Sequence, residues 1–541
     1  MDENEKITQE NIPAMPQYVP PMQPPVWTPP PQYVIPMGRR ELLLAAAVFL
    51  FSVLLCNSWL YHGPQLGFAL GAVGLVCSAC VYLKKSGYRI GGYSGLLIMV
   101  SLLIAGAFPC SDDGMMKFLA VCVLLMVPGL AFCLVTGKNR HGADSAASLF
   151  DGVYALFAYG FGEMSSAGRG IVEMARNSGK AGKTGGAVAL GLLIAVPVVA
   201  VLVFLLMSAD AAFEGLLELL PEFRWSELLA TLLLGSGLAY ILYTRTAALY
   251  HLPQPEVKNK SRKGLPALTV NTVLIAAAAV YVMYLVSQLA YFVGGFSGIL
   301  PKGYTMAEYA RRGFFEMGWL CAINLLLIAA CVALASVRGK VPGLTRGLCL
   351  FLGLVTLFLV ATASAKMFLY IGSYGLTRLR VLTEVFMIWL GLTVIFVCIW
   401  LFFPKSGYMK QSLLLALALC AALLWCDVDA FVARYNVRAY QSGKLETVDL
   451  AHLDGLSYGA VPYIAELAKD EDAWTALRAV HILENKAERF DKDTDLRGWN
   501  LRKSRAWDIL KDYRVDDVPA AEAAELDLLQ AKNLYFMEMD T

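Results

Sequence analysis

Residues 347–370 read GLCLFLGLVTLFLVATASAKMFLY, and residues 381–403 read VLTEVFMIWLGLTVIFVCIWLFF. Each run holds one charged side chain, Lys366 in the first and Glu384 in the second. A helix of about 20 apolar residues crosses a hydrocarbon core about 30 Å thick. The two runs therefore predict a pair of membrane-spanning helices joined by the link IGSYGLTRLR at 371–380. So short a link makes them antiparallel neighbours, with Lys366 and Glu384 expected to face one another.

Working outward, runs of similar size fall near 42–60, 65–83, 92–109, 117–135, 186–208, 227–247, 267–292, 314–336 and 410–426. Together these give an all-α fold: a polytopic transmembrane helix bundle of about 11 spans over residues 41–427. Composition agrees, because 57% of the 541 residues are apolar and 16% are charged, against about 25% charged in soluble domains. The net charge of +2 provides no basic field for nucleic acid. All 12 cysteines lie between Cys56 and Cys426, within or beside the apolar runs. That distribution argues against a disulfide-stapled outer domain and against zinc-site spacing. Cys77 and Cys80 form a CxxC in mid-span, where packing is the expected role. No cofactor or metal is expected.

Residues 1–40 carry ten prolines, the last of them Pro36. They are expected to be a disordered cytoplasmic tether able to dock a protein partner, with no cleavable signal. Lys and Arg cluster in alternate loops, among them Arg39 and Arg40, Lys84 and Lys85, Lys138 and Arg140, and Lys258 to Lys263. The positive-inside rule then places the N-terminus in the cytoplasm and the C-terminal domain outside. A basic cytoplasmic loop and an interfacial helix are expected at 136–185, with Arg169 and Arg176 near anionic headgroups. Residues 209–222 read as a shorter segment of the same kind. Residues 428–541 show apolar positions three and four apart and are expected to form a small soluble helical domain.

Several motifs fail on their own physics. Asn177–Thr184 reads NSGKAGKT but lacks the leading glycine and the preceding strand of a phosphate-binding loop. Asp491, Asp493 and Asp495 open like a calcium loop, yet Leu496 and Arg502 occupy the positions that need glycine and a bidentate acid. Asp112 and Asp113, in SDDG, are expected to be solvated. Asn271 and Asn324 are expected to tie neighbouring spans together.

An ionised group deep in a bilayer costs ~2.5–3.5 kcal/mol on insertion scales and needs a partner or a cavity. The candidate ligand-binding set is therefore Lys366, Tyr374, Thr377, Arg378, Arg380 and Glu384, around the 371–380 link. Its expected ligand is an anionic lipid or small anion. Glu316, in RRGFFEMGW, is a further acid near a span end.

The element Tyr374–Arg380 and the stretch Asp429–Val437, containing Arg434, Tyr435 and Asn436, carry a family likeness. So do Asp449–Leu450, Ala460–Pro462 and Trp499–Leu501. In these residues the chain resembles a bacterial polytopic membrane family known only as a domain of unknown function, of the 4153/4173 type. The resemblance implies many spans, an Arg-Tyr-Asn element and a helical tail, and it implies no activity. The leading functional expectation is a non-enzymatic recognition, sensing or assembly component of the cell envelope, embedded in the bilayer and meeting protein partners through the tail and the C-terminal domain. The alternatives are a transporter or flippase of an anionic lipid or small molecule, and a membrane-embedded envelope enzyme using Glu384 and Glu316.

Overall fold

The structure, a computed structural model, describes residues 33–145, 147–177, scattered positions from 191 to 209, 225–254, 265–296, 314–335, 341–490 and 495–513. The proline-rich tail, the NSGKAGKT stretch beyond Asn177, most of 186–208, the segment 210–222, Asp491, Asp493 and the side chain of Glu316 lie outside the described residues.

Among the described residues there is no strand, and ten helices are long and apolar enough to cross a membrane. They are α1 (Arg39–Asn57, continued by a π-helical turn Ser58–His62), α2 (Leu66–Lys85), α3 (Gly92–Gly106), α4 (Gly114–Thr136), α7 (Trp225–His251), α8 (Ala267–Phe296), α9 (Phe314–Ala335), α10 (Gly343–Tyr374), α11 (Arg378–Phe402) and α12 (Tyr408–Cys426). Between α4 and α7 lie α5 (Ser148–Tyr154, continued by a π-helical turn Ala155–Phe161) and α6 (Met164–Asn177). After the last span come α13 (Val428–Gln441), α14 (Leu450–Asp454), α15 (Val461–Leu467), α16 (Ala473–Glu488) and α17 (Leu501–Leu510). The chain is a multi-pass, all-helical membrane protein. Ten of the expected runs coincide with these spans; the eleventh, at 186–208, falls mainly outside the described residues.

The spans form two packed groups. In one, α1–α4 and α7 share a core with the C-terminal helices, including Phe68, Leu97, Phe108, Leu130, Leu249 and, from the C-terminal side, Leu453, Ile464 and Leu483. In the other, α8–α11 enclose Leu274, Ile328, Cys349 and Leu401 in one cluster and Cys321, Leu359 and Leu390 in a second. Helix α12 joins the groups, because it packs on both α11 and α3. Lipid gives no hydrophobic drive for helix pairing, so packing and interhelical hydrogen bonds set these contacts. Thr345 Oγ1 donates to Asn271 Oδ1 (2.7 Å), Tyr281 OH donates to Asn324 Oδ1 (2.7 Å), and Asn324 Nδ2 donates to Thr356 Oγ1 (3.0 Å). Trp389 Nε1 donates to Ser412 O (3.0 Å), and Thr393 and Ser412 share a hydroxyl bond of 2.8 Å.

Helices α4 and α7 end side by side: Lys138 Nζ donates to Ala248 O at 2.9 Å. The chain thus leaves α4 on one side of the bundle and enters α7 from the other. Helix α5 and its π-helical extension wedge between α4 and α7. A Cβ added at Gly152 would sit 2.3 Å from Met126 O, ten residues before the end of α4 and so about 15 Å along its axis. Arg169 Nη2 donates to Tyr33 O (3.0 Å) and Ile35 N donates to Ser166 O (3.2 Å), so α6 returns to the start of the first span. We expect Gly152→Val to destabilise this wedge by about 1–3 kcal/mol, the usual cost of overpacking. Gly142→Ala, at a site with nothing within 4 Å of the added Cβ, should leave thermal unfolding of the purified protein unchanged.

Candidate functional site

The α10–α11 link, the loop between α3 and α4, and the helices after the last span meet at one end of the bundle. Their contact is polar. Arg378, the first residue of α11, donates through Nε and Nη2 to both oxygens of Asp429 (2.8 and 2.6 Å). Its Nε also lies 3.2 Å from Asp113 Oδ2. Two-point pairing of a planar guanidinium with a carboxylate is the strongest form of side-chain ion pair. Both carboxylates are fully buried. Asp113 also caps α4, accepting from Met115 N (2.9 Å) and Met116 N (3.3 Å). Asp429 also accepts from Ser457 N (2.9 Å), tying in the segment before α15.

The expectation that Asp112 and Asp113 are solvated is corrected here. Asp113 is 1% exposed and ion-paired. Burial pushes the Asp112 carboxyl upward, against the opposing pull of Lys503 and Lys117. The SDDG loop is covered because the C-terminal helices fold back over it.

Residue 427 is the whole connection between α12 and α13, and it bends the chain at φ 56°, a backbone region that Asp and Asn tolerate better than other side chains. Asp427 Oδ1 accepts from Ala430 N (3.4 Å), and Oδ2 lies 3.2 Å from Arg502 Nε. Arg502 Nε also donates to Cys110 O (2.9 Å). Next to it Asn500 Nδ2 donates to Gln65 Oε1 (2.6 Å) and Ser111 O (2.8 Å), and Lys117 Nζ donates to the same Gln65 Oε1 (2.7 Å). Helix α17 is thereby fastened to the ends of α2, α3 and α4. Burial raises Asp427 to about 6, with Arg502 acting in the opposite direction.

The residues selected from sequence divide into three groups. Thr377 caps α11, its Oγ1 accepting from Arg380 N (3.4 Å). Arg380 Nη1 donates to the carbonyls of Tyr374 (3.0 Å) and Gly375, and its guanidinium lies 4.2 Å over the Tyr370 ring. Tyr374, at the end of α10, is exposed and packs against Tyr370. Asn436 grips the link: its Oδ1 accepts from Leu376 N (2.6 Å) and its Nδ2 donates to Leu376 O (2.8 Å). Gly375 permits this approach, with φ 72° and no Cβ; an added one would stand 2.7 Å from Asn436 Oδ1. The link is thus a locked joint.

Lys366 and Glu384 form the second group, and the structure does not bring them together. No ion pair joins them; Glu384 is buried with Ser364 as its polar neighbour, and its Oε1 has no hydrogen-bond partner among the described residues. Lys366 is engaged elsewhere.

The third group faces outward. Opposite Asn436, the face of α13 carries Phe431, Arg434, Tyr435 and Arg438, at helical spacing of three and four. With Ser442 and Lys444 they line a cleft of about 380 Å³. No acidic residue lines it among the described residues. None of Arg434, Arg438 and Lys444 has an ion pair or a side-chain hydrogen bond among the described residues. Arg438 and Lys444 were not among the sequence candidates. The signal that could have found Arg438 is the stripe at 431, 434, 435 and 438; Lys444 reaches the cleft through the turn after α13.

Two outcomes follow. Asn436→Ala removes two hydrogen bonds and leaves buried link groups unpaired, which should cost about 2–4 kcal/mol in thermal unfolding and expose the link to proteolysis. Asp427 has its carboxyl raised above the unfolded value of 3.8, so the native state binds its proton more tightly. The associated stability is complete below about pH 3.8 and is lost as pH rises through about 6. Asp427→Asn keeps the backbone tolerance and resembles the protonated acid. The stability advantage of this variant over the parent should therefore shrink as pH falls from 7.5 to 5.

Against known proteins, the model of a family described as a domain of unknown function, DUF4153, matches residues 42–467. The match runs from the first span to the end of α15 and takes in the locked link and α13. No curated protein and no solved structure matches the chain. With most of its length covered, including the joint between the α10–α11 link and α13, this multi-pass chain belongs to the DUF4153 family, a domain of unknown function.

Proposed function

We propose that this protein is a non-enzymatic recognition component of the bacterial plasma membrane, binding anionic lipid headgroups in the cleft on α13. The observation that carries this reading is the cleft itself: Arg434, Arg438 and Lys444 with no acidic lining residue and no internal partner among the described residues. A cation near an anionic lipid surface contributes about 1 kcal/mol. The cleft begins within two turns of the last span, and exposed Phe431 and Tyr435 flank its arginines. A tyrosine in such a place sits at headgroup level, its ring in apolar contact and its hydroxyl in water. The link arginines that the sequence nominated for ligand binding are committed to the joint, so ligand recognition moves from Arg378 and Arg380 to Arg434 and Arg438.

Orientation follows from charge. Arg40 Nη1 donates to Lys85 O (3.3 Å), which gathers the basic ends of α1 and α2 on the side away from the C-terminal helices. By the positive-inside rule that side is cytoplasmic, and the cleft faces outward. Because α4 and α7 end on the same side, the chain between them changes sides, which agrees with the C-terminal helices lying opposite the basic ends of α1 and α2.

The test uses the full chain in nanodiscs of zwitterionic lipid, titrated with short-chain dihexanoyl phosphatidylglycerol. Arg434→Gln/Arg438→Gln should weaken binding roughly 30-fold, the effect of two contacts of about 1 kcal/mol each. The parent's affinity should also fall with added salt. Equal binding by parent and double variant would remove the proposal.

A further inference from the structure

A second feature lies inside the bundle. Arg245, on α7, stands six residues before the helix ends and so about 9 Å inside the span. It is 8% exposed, and its Nε has no hydrogen-bond partner among the described residues. No carboxylate pairs with it among those residues either. Its guanidinium lies over the Phe132 ring, 5.9 Å from the ring centre. Asp151, the acid on the adjoining wedge, is turned to His141, with contacts of 2.9 and 3.1 Å. One turn further along α7, Lys138 supplies a second buried cation at Ala248 O.

Charged groups at membrane depth normally pair or line a path. Arg245 lines one end of an apolar cleft of about 320 Å³, within the size range of ligand pockets. From there the cleft passes Leu238, Leu124 and Leu125 to Phe68 and Trp59 at the opposite end of the bundle. Leu125 and Trp59 are about half exposed, so the cleft opens sideways toward lipid. A cation at one pole and hydrocarbon along the rest match an amphiphile, and they match nothing freely water-soluble.

We propose that Arg245 and this cleft form an intramembrane site for an amphiphilic anion, with a phosphate or carboxylate head on the guanidinium and an alkyl chain along the leucines. The site is separate from the α13 cleft.

To isolate it, the full chain carrying Arg434→Gln/Arg438→Gln is placed in nanodiscs of zwitterionic lipid, and its thermal unfolding is followed with four probes. Dodecyl phosphate and dodecanoate represent the two head chemistries, dodecanol the chain alone, and inorganic phosphate the head alone. At least one of the two anionic amphiphiles should raise Tm at a concentration ten-fold or more below that needed for dodecanol, and phosphate should have no effect. Whichever anion acts identifies the head. Arg245→Lys should retain the response and Arg245→Met should abolish it. Leu125→Trp, at the exposed rim, should weaken it about ten-fold and decides the matter should Arg245→Met not fold. An Arg245→Met response equal to the parent's, equal potency of dodecanol, an unaltered Leu125→Trp response, or no shift with either anion would overturn the proposal.

Discussion

The joint between the bundle and the C-terminal helices depends on one ion-pair cluster, in which a partly exposed guanidinium covers two buried carboxylates. Arg378 begins the span α11, and its ion pairs reach Asp429 on α13 and Asp113 at the head of α4. Three segments that are far apart in sequence converge on this one side chain. Burying an ion pair costs desolvation of both partners, so its net contribution to stability is modest. Its geometric effect is larger: losing one partner leaves an uncompensated charge in the interior, which penalises any arrangement that separates the segments. The remaining bonds act in the same direction. Asn436 fixes the link, Arg502 and Asn500 fix α17, and Lys486 Nζ donates to the carbonyls of Asp454 and Leu456 (both 2.8 Å). Burial lowers the Lys486 ammonium at the same time.

Helix α13 divides its two faces between structure and surface. Asp429, Asn436 and the apolar positions Val432, Ala433 and Val437 point into the joint. Arg434, Tyr435 and Arg438 point away from it into the cleft. Because the inner face is pinned at several points, the outer face is held rigidly near the end of the last span. A surface positioned in this way loses little ordering entropy on binding. The same helix thus explains why an Arg-Tyr-Asn element sits inside the region matched by the family: its asparagine serves the fold and its arginine the surface.

The membrane interior shows the complementary arrangement. Several polar groups there are engaged between helices, as with Asn271, Asn324 and the Glu41 carboxylate, which accepts from Tyr82 OH (2.9 Å) and meets His251 Nε2 (3.2 Å). Arg245 stands apart because its surroundings are apolar and its cleft is open. The wedge formed by α5 and its π-helical extension shapes this region, since Leu156 and Phe161 contribute to the cleft wall.

Hydrophobic run length by itself determined the ten spans among the described residues, because a helix in lipid must satisfy its own backbone and needs about 20 apolar residues to do so. The three- and four-residue spacing after residue 428 likewise announced the C-terminal helices, and the Asn271 and Asn324 bonds matched the role expected of amides inside spans. Which charges would be buried was decided by tertiary structure alone. Asp113 looks like any loop acid until α17 covers it. Arg378 and Arg380 look like ligand residues until Asp429 and the link carbonyls take their donors. Lys366 and Glu384 look like partners across a short link, but that link constrains only backbone ends, and no ion pair joins the two side chains. The pairing of Arg378 with Asp429 joins segments 51 residues apart, and local periodicity contains no information about such distances.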